Sequence, residues 1–205
     1  MRLAGTTLRS LLSMGLAAAF CATSAQASLT GRLPATPGGT DWQAFYDDEL
    51  DITWTASGGL LGSGHWQPAV DWAAALVIGH AVDWRLPSMN VDGLGVPVLC
   101  NVVTQAECLD NELGYHYWHN GITAMAGSMD PFNNVVAAGY WSSSTDGGSF
   151  AFTLSFDTGN QGAGGIGTDN AHAWAVHDGD VGVPEPGAAL LISLSLIALL
   201  GSRRR

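Results

Sequence analysis

From Phe150 to Phe156 the chain reads FAFTLSF, with a large apolar residue at every second position. That period of two predicts a strand with one buried face. GYWSSS at 139–144 precedes it, and Asp146, Gly147 and Gly148 between the two runs predict a hairpin turn. The turn Asp157-Thr158-Gly159-Asn160, a glycine-rich loop to Asn170 and a closing strand Ala171–Val176 are expected next. Earlier the period is helical. Val70, Ala73, Ala74 and Val77 share one face of a helix expected over Gln67–His80, with Pro68 in its first turn and Gly79 at its end. Tyr46–Trp54 reads as a polar turn followed by a short strand, with Ile52 and Trp54 on one face. Residues 111–120 suggest a second short helix, and 57–64, 88–110 and 121–138 read as loops. Pro87 disfavours helix at Leu86 and makes 83–87 an extended turn. Helices early, hairpins late and long loops predict an α+β domain with an antiparallel sheet.

The two ends differ from this domain. Arg2 and Arg9, an apolar stretch Leu11–Cys21 and the small residues of Ala25-Gln26-Ala27 form a secretory signal peptide, with cleavage expected after Ala27. Lipidation at Cys21 would want a small residue before it, where Phe20 stands. At the other end, Gly187–Gly201 is an apolar run of 15 residues before Arg203, Arg204 and Arg205. As a helix it reaches roughly 22 Å, against a hydrocarbon core of about 30 Å. It is a marginal span, and the positive-inside bias leaves the arginines on the cytoplasmic side. The expected division is therefore signal peptide 1–27, a Gly/Pro/Thr-rich linker 28–41, a domain 42–182 and a C-terminal segment 183–205, with a signal helix and a lone, projecting apolar helix flanking the domain.

Between the two end segments the only basic residues are Arg32 and Arg85, facing seventeen acidic ones, a formal charge of −15. Such a surface repels nucleic-acid phosphates. It suits cations or solubility outside the cell. Cys100 and Cys108 are the only cysteines there, and an oxidising destination predicts their disulfide. Closing a loop of that size is worth about 2.5 kcal/mol on the chain-entropy account.

Val183-Pro184-Glu185-Pro186, the apolar run and the terminal arginines together resemble the PEP-CTERM sorting signal of Gram-negative bacteria. That resemblance implies export across the inner membrane, a transient membrane-held precursor, and an exosortase that cleaves near the Pro-Glu-Pro motif. Signal peptidase would act at the other end. The mature protein would reach the cell surface or the extracellular polysaccharide. Within the domain, Trp84-Arg85-Leu86-Pro87, Tyr140-Trp141-Ser142-Ser143-Ser144, FDTG at 156–159, AWAVHDGD at 173–180 and YDDELDITW at 46–54 resemble the DUF1566, or Lcl C-terminal, family. The resemblance implies a C-type-lectin-like or formylglycine-generating-enzyme-like fold, and little about activity.

Several side chains invite chemistry. Tryptophan faces complement sugar rings, yet packing is the expectation for Trp54, Trp84, Trp141 and Trp174, and also for Trp66, Trp72 and Trp118. Arg85 would pair with Asp83 or Asp178, or bind a substrate carboxylate. Glu112, His116 and His119, spaced i, i+4, i+7, could hold zinc or copper on one helix face, although the spacing is not a known zinc motif. Asp146, Asp157, Asp169, Asn170, Asp178 and Asp180 sit in late loops where calcium could be held, but lectin-type calcium motifs are absent and no cofactor is assigned. No catalytic residue is assigned either: Ser142–Ser144 have no evident base, and the cysteine pair matches no formylglycine-generating motif. The chain reads as a non-enzymatic surface module, with polysaccharide as a possible partner. The alternative is an extracellular enzyme acting on surface glycans, which requires a pair of carboxylates at catalytic spacing. Ice binding would want a flat threonine-rich repeat face, which the sequence lacks.

Overall fold

The computed structural model describes residues 28–90 and 96–182. Nine strands and two α-helices follow the order β1 Leu29–Pro34, β2 Trp42–Asp47, β3 Ile52–Thr55, β4 Leu61–Gly64, α1 Trp66–Ala75, α2 Glu112–Trp118, β5 Gly139–Thr145, β6 Phe150–Ser155, β7 Gln161–Gly165, β8 Ala171–Ala173 and β9 Val176–Asp178. One sheet has the order β1-β2-β3-β9 and the other β4-β8-β5-β6-β7. Pairing is antiparallel, apart from one short parallel contact of β5 with β8 at Tyr140 and His172. The chain is thus α+β with mainly antiparallel sheets, as the hydrophobic pattern implies.

The second sheet divides the core. On one face Tyr140, Phe152 and Leu154 join Phe45, Ile52 and Trp54 of the first sheet, Leu113 of α2, and Phe132, Phe156 and Trp174. On the other, Trp141, Ala151, Ala171 and Ala173 meet Ala69 and Ala73 of α1, with Trp84 and Leu86. Alternation along β5 and β6 produces this division, because successive side chains leave a strand on opposite faces. Alanines on both sides of the second interface let α1 lie close to the sheet, and the two indoles fill the remaining volume.

Several sequence expectations change. Residues 28–41 are not a free linker: Leu29–Pro34 pair with Trp42–Asp47 from Leu29↔Asp47 to Pro34↔Trp42. Glycine density in 57–64 and 159–170 hides two short strands, β4 and β7. Helix α1 stops at Ala75, because the chain turns around Gly79 and closes Ile78 and Ala81 on each other by two backbone hydrogen bonds of 3.1 and 3.0 Å. Its buried face is Ala69 and Ala73, and Val77, expected on that face, is 63% exposed. The expected closing strand 171–176 splits in two. Ala171–Ala173 belong to the second sheet and Val176–Asp178 to the first. The fully buried Trp174 makes the crossing, its Nε1 donating to the Thr55 carbonyl at 2.8 Å.

Cys100 and Cys108 form the expected disulfide, their Cα atoms 5.5 Å apart. It packs against Tyr115 of α2. Gly114 explains this closeness: a Cβ there would run into Cys100 Sγ. The glycine that weakens α2 by propensity is the one that admits the bridge. Among the described residues no helix is long and apolar enough to cross a membrane. The signal-peptide residues Ala25 and Ala27, Val183–Pro186, the apolar run 187–201 and Arg203–Arg205 lie outside the described residues.

Candidate functional site

Three places gather polar or aromatic groups, and their chemistry differs. The first is the turn Trp84-Arg85-Leu86-Pro87. Arg85 exchanges both backbone hydrogen bonds with Val176 at 2.8 Å, which extends the first sheet beyond β9. Its guanidinium grips Glu112 with two bonds of 2.8 and 2.7 Å and reaches Asp178 at 2.5 and 2.9 Å. Glu112 also accepts the Ser88 backbone N–H at 2.6 Å. Asp178, foreseen as a partner, is there; Asp83 is not, and the principal partner Glu112 was grouped in sequence with the histidines. The turn is tied to the serines of β5 as well. Ser143 N–H donates to Pro87 O at 2.8 Å, and Ser144 Oγ accepts from Met89 N–H at 3.0 Å. Ser142 is buried and its hydroxyl donates to Phe152 O at 3.0 Å. A register shift in β5 between Trp141 and Thr145 turns these serines toward the loop. Two sequence motifs joined by contacts 55 and 56 residues apart therefore make one clamp, and Arg85 has no donor left for a substrate carboxylate while Glu112, Asp178 and Leu86 O hold it.

The second place is the buried ring stack under α2. His116 is fully buried and lies on Trp54, centroids 3.9 Å apart and planes 16° from parallel. Burial pushes its pKa down to about 3. Asn120 Nδ2 donates to His116 Nδ1 at 3.3 Å and to Asp47 Oδ2 at 2.7 Å. The ring is thus neutral, with its proton on Nε2. Asp47 Oδ1 caps the β2–β3 turn by accepting from the backbone N–H groups of Glu49 and Leu50. Burial raises its pKa, against the lowering effect of those hydrogen bonds and of Asn120. Glu112, His116 and His119 do not converge, because Glu112 turns to Arg85 and His116 turns into the core. Among the described residues no group of three His, Cys, Asp or Glu is placed to hold a metal ion. The late-loop acids serve local structure. Asp146 caps its hairpin turn, Asp169 accepts from Gly165 N–H, and Asp180 pairs with Arg32 at 2.5 Å.

The third place was not singled out in the sequence. Two clefts of about 330 and 310 Å³ adjoin on the surface of the β1–β2 hairpin, and Trp42 and Gln43 line both. Trp42 is half-buried. One indole face rests on Gly31, where any Cβ would collide with the ring. Trp66, Trp84, Trp118, Trp141 and Trp174 each donate Nε1 to a backbone carbonyl. Trp42 Nε1 has no such partner among the described residues. Gln43 Nε2 donates to Leu33 O at 3.1 Å, and its Oε1 has no partner among the described residues. Leu33 itself has φ 51°, a left-handed conformation that costs a branched side chain about 1–2 kcal/mol. Among the described residues no acidic side chain lines either cleft. The indole reaches Gly31 diagonally, since Trp42 pairs with Pro34 and Gly31 with Phe45, and the apparent linker composition of 28–41 conceals that hairpin.

Of the tryptophans weighed in sequence, Trp54, Trp84, Trp141 and Trp174 are core residues at 0–1% exposure. Tyr140 and Leu86 are buried with them. Trp118 is 38% exposed, and Trp66 and Trp72 pack partly against the α1 cluster. No family model matches this chain, and no curated protein matches it.

Proposed function

We propose that this chain is an exported, non-enzymatic module, released by signal peptidase and an exosortase and retained at the cell surface or in the extracellular polysaccharide of a Gram-negative bacterium. In this reading the domain has the C-type-lectin-like character of the DUF1566 family and works by binding. The observation that carries the reading is how the residues just inside the two expected cleavage points are tied to the domain. Strand β1 starts at Leu29, and Ser28 N already lies 2.7 Å from Asp48 Oδ1. At the other end Asp180 is gripped by Arg32 and accepts the Gly182 N–H at 2.8 Å. Cleavage after Ala27 and near Pro184-Glu185-Pro186 would therefore leave these contacts intact.

The experiment is expression in a host with its own exosortase, followed by mass determination of the exported form. The reading expects an N-terminus at Ser28 and a C-terminus within the VPEP region, with the protein in the surface or matrix fraction. A product that keeps Arg203–Arg205, or one retained in the cytoplasm, overturns it.

A further inference from the structure

The geometry points to the paired clefts around Trp42 as a binding site for an uncharged polysaccharide, with the indole as the platform on which one sugar ring stacks. This inference rests on the surface-module reading above and supplies its ligand class and its site. Three observations carry it. First, the indole is held before any ligand arrives: the ring is seated on Gly31, and Trp42 packs, partly buried, against the main core. A pre-set aromatic plane loses little entropy on binding. The axial C–H face of a pyranose is apolar and faintly positive, which suits the negative face of an aromatic ring. Second, this ring lines both clefts, each at the small end of the range for ligand sites, about 300–1,000 Å³. A chain polymer crossing the ridge would place neighbouring sugars in both. Third, the polar atoms at the ridge suit hydroxyls. Trp42 Nε1 is an unpaired donor, Gln43 Oε1 an unpaired acceptor, and the Asn133 side chain in the second cleft has no partner among the described residues.

Charge selects the class of glycan. The domain carries −15, so an anionic polymer such as a uronate is repelled on approach. A cationic polymer would look for carboxylates, and among the described residues the clefts have none. Arg32, the one cation in the wall, is already held by Asp180. A neutral chain remains. The left-handed Leu33 in the same wall fits this use, because backbone strain persists where a site requires a particular surface.

The test uses the exported mature protein in affinity electrophoresis through gels containing dextran, soluble cellulose ether, alginate or chitosan, at one ionic strength. The expected result is retardation by a neutral polymer only. Trp42→Ala should weaken it about tenfold, the size of a lost stacking contact. Trp42→Phe should keep part of it, and Trp118→Ala, an exposed tryptophan elsewhere, should not change it. Thermal midpoints verify that each variant is folded. Failure to bind either neutral polymer, stronger retardation by alginate or chitosan, or undiminished retardation of folded Trp42→Ala overturns the inference. Co-sedimentation with the host's own extracellular matrix separates the two levels. If wild type and Trp42→Ala sediment alike, the Trp42 site is wrong and the surface reading stands. If neither sediments and neither is found at the surface, that reading has failed.

Discussion

His116 lies flat on Trp54, ring centroids 3.9 Å apart, inside a core that excludes water from both. An imidazolium there would lose its hydration, and a proton on Nδ1 would oppose the Asn120 N–H that this nitrogen accepts. The folded pKa of about 3 lies below the ordinary value near 6.5, so the unfolded chain binds more protons between those limits. Stability should therefore fall as pH drops from about 6.5, by up to ~1.4 kcal/mol per unit for this one group. His119 and His172, also lowered by burial, act in the same direction. Asp47, with its raised pKa, acts oppositely near pH 4. Urea unfolding between pH 7 and 4 measures the slope, and His116→Phe should flatten it. An unchanged slope in that variant would locate the titration elsewhere.

Ser28 N sits 2.7 Å from Asp48 Oδ1. If processing creates an N-terminus at Ser28, this amide becomes an ammonium facing a carboxylate. Exposed pairs of this kind hold a proton by a few tenths of a kcal/mol. The mature α-amine should then be acylated about twofold more slowly at pH 7.5 than in Asp48→Asn, with mass spectrometry following the modified terminus. Equal rates would show that the pair does not form.

Arg85 links the turn at 84–87, α2 and β9 through Glu112 and Asp178. Arg85→Ala strands Glu112, whose side chain is 9% exposed, without its cation. The expected loss is about 2 kcal/mol, below that of a fully buried pair because Arg85 itself is partly exposed. Arg85→Lys should recover less than half, since an ammonium cannot make the two-pronged contact. Removing Glu112 as well, in Arg85→Ala with Glu112→Leu, should restore part of the stability. Chemical denaturation of the four proteins reads the coupling.

Gly114→Ala offers the sharpest test of local packing. In an exposed helix the change stabilises by roughly 1 kcal/mol. Here the new Cβ meets Cys100 Sγ, Gln161 Oε1 and Asn111 Cγ. Overpacking should reverse the sign and destabilise by about 1–3 kcal/mol. A higher melting temperature would mean that the disulfide loop yields freely.

The elements that were legible in the sequence are those whose burial is decided locally. The alternation in Phe150–Phe156, the paired run at 139–144 and the short helix at 111–120 all follow from side-chain period and turn chemistry. The disulfide followed from compartment and count. The four tryptophans expected to pack, Trp54, Trp84, Trp141 and Trp174, are all buried. What the sequence could not decide was which distant segments share a surface. Residues 28–41 look like a linker because glycine, proline and threonine recur in them, yet backbone pairing with 42–47 makes Leu29–Pro34 a strand. Pairing uses groups that every residue carries. Glu112 has the right spacing for a metal ligand beside His116, but Arg85, 27 positions away, reaches it first. The Trp42 platform exists only because β1 pairs with β2 in a register that sets Trp42 opposite Pro34 and lets its indole lie diagonally over Gly31. Period and composition report what each residue prefers; only the tertiary structure decides which residues meet.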